Sequence, residues 1–164
     1  MAAKFDITDE MRAVIGVESE PWTYEVTTTS VRAFARGVGY TDPVYFDEDA
    51  ARAAGYRNLP APPTYLGTPV YLPGQTDPTY STPRVTGPRL AHGLPNVLDG
   101  GTDTEYFADI CAGDVLTASS VVVNLETRDG RTLGVMLITT SETTWRRVES
   151  GEVVAKQRAQ AIFY

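Results

Sequence analysis

Residues 103–163 constrain the fold more than any other part of the chain, because four strand-like segments follow one another there with only short polar turns between them. Asp103–Phe107, Val115–Thr127, Leu133–Trp145 and Val153–Phe163 are rich in β-branched and aromatic residues. Cys-Ala-Gly-Asp, Arg-Asp-Gly-Arg and Glu-Ser-Gly-Glu turns separate them. In the last segment Val153, Ala155, Ala159, Ala161 and Phe163 share one face, and Lys156, Arg158 and Gln160 share the other. Three of the segments exceed the usual strand length of ~5–6 residues, which predicts a strongly curved antiparallel sheet.

The preceding half alternates short helices with loops. Residues 1–20 read as an acidic lead-in with one helical turn around Asp9–Val14, and Trp22–Thr27 reads as a short strand. A helix follows, capped by Thr29 or Ser30, with Val31, Phe34, Ala35 and Val38 on one face and Gly37 and Gly39 ending it. Pro43 makes Tyr40–Asp47 a loop. Asp47 caps a small helix, Glu48 to Ala54, which Gly55 stops. Pro62 and Pro63 suit the start of another helix, and Tyr65, Leu66, Val70 and Leu72 leave it almost no polar face, so it belongs inside the structure. Residues 73–97 read as a long loop. The expected fold class is α+β, a curved antiparallel sheet around a buried helix, with 1–20 as lead-in and 21–164 as a single domain.

Composition narrows the partners. The chain has 164 residues and a net charge of −7, which disfavours nucleic acid and anionic membrane surfaces. No apolar run is long enough to span a bilayer or serve as a secretory signal. The expected compartment is the cytoplasm. With one cysteine, Cys111, and one histidine, His92, a dedicated metal site is not expected. Residues 1–50 hold ten acids against four bases, so an anionic cofactor would dock on the later part, where Arg57, Arg84 and Arg89 sit; solvated surface is the other reading of those arginines. Trp145-Arg-Arg147 could stack on or pair with such a cofactor, or simply end a hairpin. Cys111 lies beside Asp109 and Asp114 with no basic neighbour in sequence, which argues against a nucleophile.

Two segments together resemble the MaoC-like dehydratases, hot-dog folds that interconvert trans-2-enoyl and 3-hydroxyacyl thioesters. The first is Gly39-Tyr-Thr-Asp-Pro-Val-Tyr-Phe-Asp47, followed by Ala50, Ala54, Gly55 and Tyr56; the second is Leu59-Pro-Ala-Pro-Pro-Thr-Tyr65. Gly113-Asp114, the long strand, the Asp-Gly hairpin and the closing Gln-Arg-Ala-Gln-Ala-Ile-Phe strand continue the likeness, which covers about residues 20–164 and is nearest to an N-terminal dehydratase-type domain.

The resemblance implies an Asp and a His with four residues between them to activate water, and a backbone N–H at the start of the buried helix to polarise the thioester carbonyl. Carried over, Tyr40 stands at the Asp position and Tyr45 at the His position, while Asp42, Pro43 and Asp47 keep the surrounding pattern. A phenol with a pKa near ~10 donates protons and makes a poor base. Ala61-Pro62-Pro63 stands where the family has Ala-His-Gly, and proline has no N–H.

The resemblance therefore implies a chain with no catalytic residues of its own, paired with a second hot-dog subunit whose Asp-x4-His is intact. Together they would form a heteromeric enoyl-CoA hydratase or 3-hydroxyacyl-thioester dehydratase. Acyl-CoA or an acyl-carrier thioester would be the substrate, with no permanently bound cofactor. Pro62, Pro63, Thr64, Tyr65, His92, Gly100 and Gly101 are the expected substrate-lining residues; the glycines could equally make a turn or a β-bulge. The edge strand would join the two sheets into one. Two alternatives remain open: a self-sufficient homodimer with Asp42 or His92 as a displaced base, and a non-catalytic acyl-thioester binding module.

Overall fold

The computed structural model describes residues 5–67 and 90–164. Val70, Leu72 and Pro69 of the apolar helix, residues 73–89 of the long loop, and Arg84 and Arg89 lie outside these described residues.

Five strands form one antiparallel sheet: β1 (Trp22–Glu25), β2 (Val97–Tyr106), β3 (Val115–Gly130), β4 (Gly134–Arg147) and β5 (Val153–Phe163). Their order across the sheet is β1-β3-β4-β5-β2. The consecutive β3, β4 and β5 are joined by tight turns, as their sequences require. β2 returns beside β5, and β1 flanks β3. Among the described residues three α-helices precede the long strands: α1 (Asp9–Arg12), α2 (Thr28–Val38) and α3 (Glu48–Ala53). One-turn 3-10 helices occupy Pro43–Tyr45 and Tyr65–Gly67.

Several local readings shift. The cap of α2 is Thr27, not Thr29 or Ser30: its hydroxyl accepts the Ser30 N–H at 3.1 Å, while the Ser30 hydroxyl accepts the Thr27 N–H at 3.0 Å. Ser30 thus completes a reciprocal capping box from inside the helix. Gly37 stays helical, and only Gly39, at φ 84°, ends the helix. The loop after it is not wholly irregular, because Pro43 opens the 3-10 turn. The first strand of the C-terminal half starts at Val97 rather than Asp103, since Asp99-Gly-Gly does not break it but makes a bulge against β5. Of the apolar helix the described residues show one 3-10 turn, Tyr65–Gly67, which opens after the prolines because Thr64, at φ 68°, breaks the helical path before it.

The sheet packs its inner face against two apolar clusters. The larger joins Tyr24, Val31, Leu59, Tyr65, Leu66, Leu116, Trp145 and Ala155. Within it, Trp145 meets Trp22 edge-on at 5.9 Å and Tyr24 at 5.8 Å, and Tyr65 meets Tyr24 at 5.7 Å and Phe34 at 5.6 Å. Each such contact adds about 0.5–1.5 kcal/mol beyond the area it buries. The smaller cluster sets Met11 of α1 against Leu125 and Leu137. On β5 the alternation matches the sequence pattern, with Lys156, Arg158 and Gln160 exposed. A bulge opposite Trp145 and Arg146 brings Val154 as well as Ala155 into the core.

Candidate functional site

The loop after α2 is built by hydrogen bonds of its own side chains. Gly39 turns the chain, the Tyr40 N–H donates to the Ala35 carbonyl at 2.9 Å, and Asp42 accepts the Val44 N–H at 3.1 Å to open the 3-10 turn. Arg32 Nε donates to the Phe46 carbonyl at 2.9 Å and ties the loop to α2. Asp47 accepts the N–H groups of Asp49 at 2.8 Å and Ala50 at 3.1 Å, and these bonds hold its carboxyl below the ordinary range.

This scaffold sets Tyr40 and Tyr45 side by side, with ring centroids 5.3 Å apart and planes inclined at 46°. Burial, together with the nearby Tyr40, Asp42 and Tyr56, pushes the Tyr45 phenol up. Tyr106, at the end of β2, reaches the same neighbourhood. Burial raises its phenol and Tyr40 raises it further, while the Thr64 backbone N–H acts in the opposite direction by donating toward its hydroxyl. Tyr45 and Tyr106 thus both lie near Tyr40, with Asp42 and Tyr56 beside Tyr45 and the Thr64 backbone beside Tyr106. The raised phenols of Tyr45 and Tyr106 stay protonated at neutral pH and can donate hydrogen bonds but not accept a proton from water.

The second segment is fastened from below. Ala61 N–H donates to the Ile110 carbonyl at 2.7 Å, Ala112 N–H to Leu59 at 2.8 Å, and Pro60 bridges Cys111. Pro62 is buried, and Pro63 and Thr64 are exposed. Thr64, with φ 68°, is the only non-glycine among the described residues in the left-handed region, a locally strained position. Tyr65 is 1% exposed, and its hydroxyl lies 2.6 Å from the Ser30 hydroxyl. Burial raises that phenol far above its usual range.

The other expected site residues lie elsewhere. His92 packs on Phe163 at 4.1 Å, its Nδ1 accepts the Leu94 N–H at 3.1 Å, and burial lowers its pKa. Phe163 lies eight residues along β5 from Ala155, the partner of Tyr106, so His92 is on the order of 20–25 Å from the tyrosines. The structure does not bring Asp42 and His92 together. A Cβ on Gly100 would sit 2.8 Å from Gln160 Cβ, so the close approach there is to β5 within the sheet, while Gly101 takes φ 104° at the bulge.

Arg57 is held by Asp114, whose side chain is 3% exposed and also meets Arg147 at 3.3 Å and the Cys111 N–H at 2.9 Å. Burial alone would raise the Asp114 carboxyl; the Arg57 hydrogen bond, the Cys111 N–H and both guanidinium charges pull it below the ordinary range. Trp145 is 2% exposed and donates its indole N–H to Gln157 at 2.7 Å, so it cannot stack on a nucleotide. Burial pushes the Cys111 thiol up, as suits an inert core residue. Among the described residues no three His, Cys, Asp or Glu side chains are arranged to hold a metal ion, and no helix is long and apolar enough to cross a membrane. A groove of about 460 Å³ is lined by Glu18, Ser19, Pro21, Thr117, Ser119 and Thr144 and by none of these tyrosines.

Sequence reasoning missed Tyr106 as a neighbour of the loop. Its alternation with Thr102 and Thr104 was readable, but the strand register that carries it there was not.

A curved five-stranded antiparallel sheet closing over Tyr65 and Leu66 is the hot-dog fold of the MaoC-like dehydratases. The chain belongs to the FAS1-like dehydratase domain region family, which matches residues 13–157. It is similar to the UPF0336 protein of Clavibacter michiganensis subsp. michiganensis, 36% identical over 110 residues that make up 67% of this chain and 69% of the relative. Among solved structures, it superposes on the ChsH1-ChsH2 complex from Mycobacterium tuberculosis with a TM-score of 0.69 at 19% identity, covering 94% of this chain and 92% of that one. The HadBC (3R-hydroxyacyl-ACP dehydratase) complex from the same organism gives a TM-score of 0.67 at 20% identity, covering 96% and 99%. A MaoC-like dehydratase gives 0.73 at 23% identity, where 93% of this chain covers 43% of the longer one.

Proposed function

We propose that this chain is the non-catalytic, substrate-shaping subunit of a heteromeric MaoC-type enoyl-CoA hydratase or 3-hydroxyacyl-thioester dehydratase. A second hot-dog subunit supplies the Asp and His. The observation that carries this reading is the Tyr40–Tyr45 pair: two phenols face each other at 5.3 Å where the family resemblance expects a carboxylate and an imidazole. In the assembled enzyme the partner's base takes a proton from water as its oxygen bonds to the β-carbon, and the α-carbon receives a proton. The tyrosine cluster of this chain borders the acyl group and offers it hydrogen-bond donors.

The likeness to two complexes, ChsH1-ChsH2 and HadBC, supports a heteromeric setting, and the edge of β2 that no described strand covers offers a place for a second sheet to join. A displaced base within the chain gains no support: Asp42 is engaged in capping its own turn, and His92 is remote with its Nδ1 lone pair occupied. The substrate on this reading is an acyl-CoA or acyl-carrier thioester, and the setting is the cytoplasm.

The test is a hydration assay with a panel of enoyl-CoAs, using the chain alone and co-purified with a hot-dog subunit bearing an intact Asp-x4-His. Turnover is expected only from the assembly. Turnover by the pure chain overturns the proposal.

A further inference from the structure

Among the described residues β2 pairs with β5 on one side only, and its other edge is open. The Phe107 N–H donates to the Val154 carbonyl at 2.9 Å, so by alternation the backbone groups of Asp103 and Glu105 also turn toward β5. Those of Thr102, Thr104 and Tyr106 point outward, unpaired among the described residues, and are flanked by the exposed Val97, Leu98 and Phe107. This edge is ready to receive another strand.

Its charge restricts which one. From Val97 to Phe107 the chain carries Asp99, Asp103 and Glu105 and no Lys, Arg or His. Asp103 and Glu105 stand across from Arg158 and Lys156 in register, but Arg158 turns to Glu142 at 3.3 Å. Neither side chain has an ion pair or hydrogen bond among the described residues. Both share one face of the strand. If a second copy paired antiparallel about a two-fold axis, centring at residue 103, 104 or 105 would set Asp103 against Asp103, Asp103 against Glu105, or Glu105 against Glu105. Like charges directly opposite one another destabilise such a pair.

We infer that Asp103 and Glu105 make the β2 edge select a partner strand bearing Lys or Arg opposite them and reject a second copy of this chain. This rests on the heteromeric reading above and adds the chemistry of the partner's strand. The test measures self-association by sedimentation at low (about 0.05 M) and high (about 0.5 M) salt, where screening differs several-fold. It compares the wild-type chain, the neutral Asp103→Asn/Glu105→Gln variant, and an equimolar mixture of wild type with Asp103→Lys/Glu105→Lys. At low salt the neutral variant is expected to self-associate about tenfold more tightly than wild type. The mixture is expected to associate more tightly than wild type alone and to lose that gain at high salt. A wild type that self-associates as tightly as the neutral variant, or a mixture no tighter than wild type, overturns the inference. The readout is mass, not turnover, so an isolated chain that proves to be an active hydratase removes the subunit reading without deciding this one.

Discussion

The Nδ1 of His92 accepts the Leu94 N–H at 3.1 Å while its ring lies on Phe163. The neutral imidazole therefore carries its proton on Nε2 and has no free lone pair. Burial lowers its pKa below the unfolded value, so the folded chain resists protonation. Stability from this group is full above the unfolded pKa of about 6.5 and declines as pH falls below it, levelling off under the folded pKa. Thermal melts between about pH 7 and pH 5 should show this decline in the wild type and a shallower one in His92→Gln.

Asp114 concentrates the charge that joins the 57–61 segment to the ends of β3 and β4 through Arg57 and Arg147. Asp114→Asn should cost about 2–3 kcal/mol, discounted because the Arg57 side chain is half exposed. Its carboxyl titrates below the unfolded value, so this stability is present above about pH 4 and disappears as pH falls through the folded pKa. Urea unfolding at neutral pH and at pH ~3 should show the variant's deficit shrinking in acid.

Asp42 caps the turn that carries Tyr45. Asp42→Ala should lower stability by about 1 kcal/mol and change the kcat of the assembled enzyme by no more than ~2-fold, whereas loss of a general base costs about 10²-fold or more. Steady-state kinetics of the co-purified complex separates the two.

Gly100 leaves no room for a side chain, since a Cβ would stand 2.8 Å from Gln160 Cβ and 3.1 Å from its carbonyl oxygen. Gly100→Ala should push β2 away from β5 at a cost of about 1–3 kcal/mol. Faster hydrogen exchange at the Asp103 and Glu105 amides, with the β3 and β4 amides unchanged, is the expected signature.

The three consecutive long strands and the helix carrying Val31 and Ala35 were legible because their periodicity is local. The capping box was harder to see: Thr27, Thr28, Thr29 and Ser30 all have cap-forming side chains, and only the reciprocal bonds single out Thr27. The Gly-Gly of β2 read equally as turn or bulge, since glycine permits both. Arg57 and Asp114 are 57 residues apart, and no spacing rule links them. That Tyr40 and Tyr45 share one loop around Pro43 was readable from the sequence. The approach of Tyr106 was not, because it depends on the Tyr106–Ala155 register.

The two margins of the sheet are unequal. β1 is four residues long and follows Pro21, whereas β2 offers ten residues in a row. Among the described strands the long margin therefore favours strand addition: with it filled, the stub at the far side would give a third sheet too little backbone to grip. On the proposed reading growth would stop at a pair, short of the open-ended stacking that leads to fibres.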